Sequence, residues 1–177
     1  MLRFAHVGIM VGLAPHRPVM KNATLCFILQ DGPHRRILLG LKKRGFGAGK
    51  VNGFGGKVRP GESLEDATIR EVREETTLVL SADALRSAGE VTFLFPYEPA
   101  FDHHVHLFTT CGYSGEARET AEMAPAWFPV DRIPYDRMWA DDPHWLPLVL
   151  DGQRIEATFT FAADNESLAS WTIRGRD

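Results

Sequence analysis

The chain has few cysteines, no excess of positive charge and no long hydrophobic run. Cys26 and Cys111 are the two cysteines in 177 residues, and they lack metal-ligand spacing. That argues against a zinc module or a disulfide scaffold; one bridge between them stays open, but nothing demands it. Cys26 sits in the apolar run Thr24–Leu29, where a buried free thiol is the expectation. The net charge of −3 leaves no basic track for a nucleic-acid polymer and favours a small-molecule substrate. No stretch is long enough to span a membrane. There is no internal repeat, low-complexity tract or linker, so a second domain is unsupported. What is present is ordinary: 44% apolar residues, enough for the core of one domain.

Residues 1–22 read as an N-terminal extension before a domain at 23–177. Arg3 and the run Phe4–Ala14 resemble a secretory signal, but His6 interrupts the run and no small-residue cleavage site follows. An upstream start codon, a flexible extension or an extra strand fits better, with Met20 a natural alternative start. The expected location is cytoplasmic.

The informative run is Gly56-Lys-Val-Arg-Pro-Gly-Glu62, then seven residues, then Arg70-Glu71-Val72-Arg73-Glu74-Glu75. Ser63 and Asp66 have capping-box spacing, which predicts a helix from Leu64 to about Thr76. On it Glu71, Glu74 and Glu75 fall at i, i+3 and i+4 and share one face. Like charges at that spacing cost a few tenths of a kcal/mol each. A hard cation relieves the cost; Mg2+ prefers carboxylate oxygens and usually arrives with substrate phosphates. Leu64, Thr68 and Val72 supply a narrow apolar edge beside the carboxylates.

Around this helix the pattern predicts strands at Thr24–Leu29, Arg36–Leu41, Val51–Val58, Gly89–Phe95, Val105–Thr110 and Trp127–Val130, and a terminal hairpin of Ile155–Phe161 with Ser170–Ile173. Gly112–Thr120 reads as a polar loop. A second helix follows Asp141-Asp142-Pro143, with either aspartate as its cap. Phe93 and Phe95 share a strand face, serving the core or an aromatic wall. His103, His104 and His106 look like a metal cluster, but adjacent strand residues point oppositely, and zinc needs converging ligands.

The spacing resembles the Nudix box, G-x5-E-x7-R-E-U-x-E-E-x-G-U, with U a bulky apolar residue. Gly56, Glu62, Arg70, Glu71, Val72, Glu74, Glu75 and Leu78 match it. Thr77 stands where the box has glycine, a left-handed cap position that a β-branched residue adopts badly. Two further segments, Lys42–Lys57 and Met138–Trp145, resemble the animal oxidised-purine nucleoside triphosphatases related to MutT, which cleave 8-oxo-dGTP and 2-hydroxy-dATP. The likeness spans roughly Ala23 to Arg174.

That resemblance implies an α/β Nudix fold, an α/β/α sandwich with a mixed sheet flanked by helices. It implies Mg2+, with Mn2+ as a substitute, held by Glu71, Glu74, Glu75, the Gly55 carbonyl and a remote Glu122. Glu71, Glu74 and Glu75 are the catalytic set, and Glu74 or Glu122 serves as base. Trp139 would stack on the base, and Asp141 and Asp142 would meet its edge opposite Asn52. Phe46, Phe93, Phe95 and Trp145 would line the pocket, with Thr24 and Lys42 completing it. Gly56 and Lys57 would lie beside the phosphates, Lys57 being equally readable as a solvated lysine. Arg70 would orient the glutamates, and Glu62 would fix the loop–helix junction. Val51 replaces the family's tryptophan, and the loop Pro99–His104 is one residue longer, so the pocket residue usually found there is unassigned.

Asp141 and Asp142 also have a logic of their own. Two carboxylates in a poorly hydrated pocket raise one another's pKa, so one can donate while the other accepts. The expected activity is hydrolysis of modified purine nucleoside triphosphates to the monophosphate and pyrophosphate, sanitising the nucleotide pool, by a monomer. Two alternatives are a Nudix hydrolase for ADP-ribose, capped RNA or a methylated purine triphosphate, and a non-catalytic binding module.

Overall fold

A computed structural model describes residues 20–176. The expectations for residues 1–19 lie outside the described residues. Among the described residues, ten strands and two α-helices follow in chain order, with several 3-10 turns between them. The main sheet is mixed. It runs β10 (Leu168–Arg176), β9 (Arg154–Phe161), β5 (Arg86–Leu94), β6 (His103–Thr110), β1 (Lys21–Gln30), β2 (Arg36–Lys42) and β3 (Val51–Asn52), and β8 (Met123–Pro129) also pairs with β2. β1 lies parallel to β6, and β5 parallel to β9; the other pairings are antiparallel.

Side chains on β1 alternate between two cores, as the two-residue period of a strand requires. Phe27 and Leu29 join one core with Trp145 and Leu146 of α2 (Asp142–Leu150). Cys26 and Ile28 join the other with Val72 of α1 (Leu64–Thr76). A helix therefore covers each face, and the α/β/α sandwich expected from the resemblance is the observed architecture. The Cys26 thiol is fully buried, and burial pushes its pKa up, so it packs as an inert apolar group. Both cysteines are free.

α1 begins where Ser63 places it. Ser63 is extended (φ −72°, ψ 163°), and its hydroxyl oxygen accepts the Asp66 N–H at 3.0 Å. The reciprocal half of the capping box is altered: the Asp66 carboxylate accepts from the Ser63 hydroxyl at 2.7 Å rather than from its backbone. Glu65 and Asp66 in the first turn and Arg73 in the last suit the helix dipole. The helix ends at Thr77, which does adopt the left-handed conformation (φ 69°) despite its β-branch. Its N–H returns to the Arg73 carbonyl at 3.0 Å, and its hydroxyl donates to the Glu116 carbonyl at 2.9 Å. The missing glycine therefore leaves the cap intact, with strain held by two hydrogen bonds.

Two expectations need correction. The segment Gly112–Thr120 is not all loop, because Tyr113–Ser114 (β7) pairs with Val79–Leu80 (β4) in a second small sheet. The run Val51–Val58 is not a continuous strand. It breaks after Asn52 and rejoins β1 through bridges at Phe54 and Lys57.

Candidate active site

The loop Gly53–Lys57 lies so close to β1 and α1 that an added Cβ would collide at Gly55 and at Gly56. Thr24 N–H donates to the Gly56 carbonyl at 2.9 Å, and Cys26 N–H to the Phe54 carbonyl at 2.7 Å. A Cβ at Gly55 would come within 2.0 Å of the Thr24 carbonyl oxygen, and one at Gly56 within 2.6 Å of the Glu71 carboxyl carbon. The loop therefore sits directly on the carboxylates of α1.

Arg70 organises that contact. Its guanidinium meets Glu62 through two bonds of 2.7 and 2.8 Å, Glu71 at 2.5 Å and the Lys57 carbonyl at 3.1 Å. Glu62 also accepts the Arg59 N–H at 3.0 Å. The Arg70 bond, with that N–H, holds the Glu62 carboxyl down at about 2. Arg70 thus faces the glutamates and the loop, in the orienting role expected of it.

Glu75 is the buried carboxylate. Its Oε2 accepts the Gly55 N–H at 2.9 Å, and its Oε1 lies 3.7 Å from Lys42 Nζ. Burial pushes its pKa up to about 7, and the charges of Glu71 and Glu122 add to the rise against Gly55 and Lys42. Glu74 differs. Its side chain is 51% exposed and is held by Arg59 at 3.3 Å and Arg70 at 3.5 Å. It does not line the main cavity, whereas Glu122 does, paired with Arg44. Glu71 and Glu122 thus lie near enough to Glu75 to act on its charge, and Lys42 stands against Glu75. This carboxylate donor set is all oxygen, so it fits a hard divalent cation. Gly55 offers its N–H to Glu75; the Gly56 carbonyl is taken up by Thr24.

Above the carboxylates opens a cavity of about 580 Å3, within the usual size of small-molecule sites. Trp139 stacks on Phe46 at 5.1 Å between centroids, and Lys50 Nζ stands 4.8 Å from the indole centroid. Phe95 lies flat on Phe161 at 4.4 Å, and Phe93 stacks on Phe159 at 6.1 Å. Phe93 and Phe95 belong at once to the core and to the pocket wall. Asn52 lines the cavity while its side-chain Oδ1 accepts the Gly53 N–H at 2.8 Å. Thr24 is also on the lining, and its hydroxyl is buried with no partner among the described residues.

Asp141 and Asp142 are both 2% exposed. Neither caps α2: Asp141 is helical in conformation and makes no side-chain cap bond. Its Oδ2 accepts the Trp145 indole N–H at 2.8 Å, and Asp142 Oδ2 accepts the Trp139 backbone N–H at 2.9 Å. Burial raises both carboxyls above their ordinary value, and the Asp141 charge raises Asp142 further. Trp145 lines the cavity beside Asp141, whose carboxylate it holds, while the rest of its ring is buried in the core. Lys42 sits against Glu75, at the junction between carboxylates and cavity, rather than deep among the aromatics.

Sequence reasoning missed several lining residues. Phe161 comes from β9, and Phe101 and His103 fill the wall left unassigned by the longer loop. The His103 Nδ1–H donates to the Phe101 carbonyl, and burial lowers the pKa of the ring. A neutral ring therefore turns its Nε2 lone pair elsewhere. The three-histidine cluster does not form, because His103 lines the cavity while His104 and His106 occupy the opposite strand face.

A mixed α/β sandwich with an acidic helix beneath a glycine loop, beside an aromatic cavity, defines a nucleotide-hydrolase architecture. The NUDIX domain family model matches residues 20–149, and the chain belongs to the Nudix family. A zebrafish (Danio rerio) protein named oxidized purine nucleoside triphosphate hydrolase is 48% identical over 141 residues, covering 80% of this chain and 86% of that protein. The mouse (Mus musculus) protein of the same name is 42% identical over 154 residues, covering 87% and 94%. The crystal structure of the MutT protein from Bacillus halodurans superposes with a TM-score of 0.74 at 24% identity, covering 87% of this chain and 97% of that one, a likeness of fold. Nudix hydrolases typically use a divalent metal ion. Among the described residues no helix is long and apolar enough to cross a membrane.

Proposed function

We propose that this enzyme hydrolyses oxidised or otherwise modified purine nucleoside triphosphates to the monophosphate and pyrophosphate, using Mg2+. The catalytic domain takes in the expected 23–177 together with Lys21 and Asn22, which belong to β1, and the enzyme works as a cytoplasmic monomer on free nucleotides. The observation that carries the reading is the pair of buried carboxylates, Asp141 and Asp142, beside the stacked Trp139 and Phe46. The identity to zebrafish and mouse proteins named for this activity supports it.

The base slides onto Trp139 and displaces water from the aromatic wall. The pair Asp141–Asp142 shares a proton at neutral pH, so one carboxyl donates to the base edge and the other accepts. Asn52 contributes its free amide hydrogens, and Thr24 its unpartnered hydroxyl. Lys57 and Lys42 face the polyphosphate, and Gly56 leaves room for it. Glu71 and Glu75 would hold the cation, with Glu122 and the more exposed Glu74 completing the set. When bound, Mg2+ neutralises phosphate charge and acidifies a water. Glu122 is the better-placed base, because it lines the cavity and Glu74 does not. Arg70 is a positioning residue that fixes Glu71.

Glu75→Gln and Glu71→Gln test the reading. Each should cut pyrophosphate release by at least about a hundredfold, as loss of transition-state charge stabilisation does, while nucleotide affinity persists. Unchanged turnover in both variants contradicts the assignment. A binding module without chemistry would show no turnover in the unmodified protein.

A further inference from the structure

The face of β5 and β6 that turns away from the cavity carries a cluster with no part in the proposed reaction. Strand register assembles it. Glu90 pairs across from His106, and Thr92 from His104. Glu90 Oε2 lies 3.2 Å from His104 Nε2 and 3.8 Å from His106 Nδ1, and one ligand atom from each of the three residues falls within 4.8 Å of the others. The two imidazoles stand nearly perpendicular, at 82°, with centroids 4.9 Å apart.

The outer ring nitrogens are also occupied. His106 Nε2 bonds Asn22 Oδ1 at 2.9 Å, and His104 Nδ1 bonds the Thr92 hydroxyl at 2.9 Å. The Asn22 carbonyl oxygen can only accept, so Nε2 of His106 carries the proton and Nδ1 turns a lone pair toward Glu90. His104 Nε2 is within hydrogen-bond distance of Glu90 Oε2, which can only accept, so Nε2 carries the proton in the metal-free protein and Nδ1 accepts from the Thr92 hydroxyl. A divalent cation would take the place of that one proton, with His104 Nδ1–H then donating to the Thr92 hydroxyl, which can accept as well as donate. An outer partner that fixes the tautomer is the usual support of a histidine metal ligand. The three side chains are 22–31% exposed, so solvent reaches the cluster.

We propose that Glu90, His104 and His106 bind one transition-metal ion of the Zn2+ or Co2+ class, with water completing the shell. Two imidazoles and a carboxylate suit these borderline ions, whereas the all-oxygen set at Glu71, Glu75 and Glu122 suits Mg2+. The two sites are therefore chemically distinct. The competing occupant is a proton, with one imidazolium paired to Glu90.

Untagged protein, stripped of metal and then saturated with Mg2+ to fill the carboxylate site, is titrated with Co2+ and followed by visible absorption and calorimetry. The expected result is one Co2+ bound per chain in the presence of Mg2+, displaced by Zn2+. His104→Gln and His106→Gln should abolish that uptake, and Thr92→Val should weaken it at least about tenfold. All three variants should keep nucleotide hydrolysis with Mg2+, which also shows that they fold. Two results overturn the proposal: no Co2+ uptake beyond what Mg2+ displaces, or uptake unchanged in His104→Gln and His106→Gln.

Discussion

The indole N–H of Trp145 donates to Asp141 Oδ2 at 2.8 Å, with both residues buried. Trp145 is anchored in the core by an edge-on contact with Phe27 at 5.7 Å. The core thus fixes one carboxylate oxygen of the pocket, while Asp142 is fixed by the Trp139 backbone. The pair is buried, and burial outweighs the charge of nearby Lys50, which favours a proton on it.

The pH dependence of substrate selection follows. Both carboxyls are raised by burial, so the shared proton is present at neutral pH and leaves as pH rises through the raised value of Asp142. Affinity for a base that needs the donor should fall on the alkaline side. Asp142→Asn carries a permanent donor, and its profile of kcat/KM against pH should lose that alkaline limb. A limb that persists unchanged places the titrating group elsewhere.

Glu75 links the metal site to stability. Its folded pKa of about 7 is above the ordinary 4.5, so the folded protein holds the proton more tightly than the unfolded chain. Its stability contribution is fully present below about 4.5 and is lost as pH rises through 7. The loss is on the order of 3 kcal/mol when metal is absent. Metal-free Glu75→Gln should therefore be more stable than the unmodified protein at pH 8, and the difference should vanish toward pH 5. Mg2+ should raise the melting temperature of the unmodified protein more than that of Glu75→Gln. Thermal melts across this range check both signs.

Adjacent glycines should fail differently. At Gly55 an added Cβ meets the backbone oxygen of Thr24, which cannot move without breaking the loop–strand bridges. At Gly56 it meets the end of the Glu71 side chain, which can swing away. Gly55→Ala should lower stability by about 2 kcal/mol or more, the scale of overpacking in a close-packed interior. Gly56→Ala should keep the fold and lose at least about tenfold in turnover, because Glu71 is displaced. Denaturant melts and kinetics on the same two samples separate these outcomes.

Thr77 carries strain that glycine would not. A non-glycine residue in the left-handed region costs about 1–2 kcal/mol, offset here by an exposed hydrogen bond to Glu116 and by the lower chain entropy of threonine. Thr77→Gly should change stability by less than about 1 kcal/mol and leave turnover unaltered. A larger loss would mean that the Thr77 hydroxyl, rather than the backbone, closes the helix.

Local signals were legible in the sequence, and long-range register was not. Ser63 and the Glu71–Glu75 spacing placed α1 at Leu64–Thr76, because caps and i, i+4 faces are encoded within a dozen residues. The terminal hairpin was read from its alternation. Asp141 and Asp142 were readable as a pair, but their freedom from capping was not, since it depends on where Trp145 and the Trp139 backbone come to lie. Glu90 could not be joined to His104 and His106, because that contact needs the β5–β6 register. His103 and Phe161 reach the cavity only through the parallel pairings β1–β6 and β5–β9, which bring together residues far apart in the chain.

The measurement that bears most directly on the account is kcat/KM for pyrophosphate release with Mg2+ on 8-oxo-dGTP, 2-hydroxy-dATP, O6-methyl-dGTP, dGTP and ADP-ribose. The account predicts that at least one modified purine triphosphate exceeds dGTP by tenfold or more, about 1.4 kcal/mol of discrimination, with the preference reduced in Asp142→Asn. Equal rates for modified and ordinary dGTP, or a preference for ADP-ribose, would contradict the assignment of Trp139, Asp141 and Asp142 to recognition of the base.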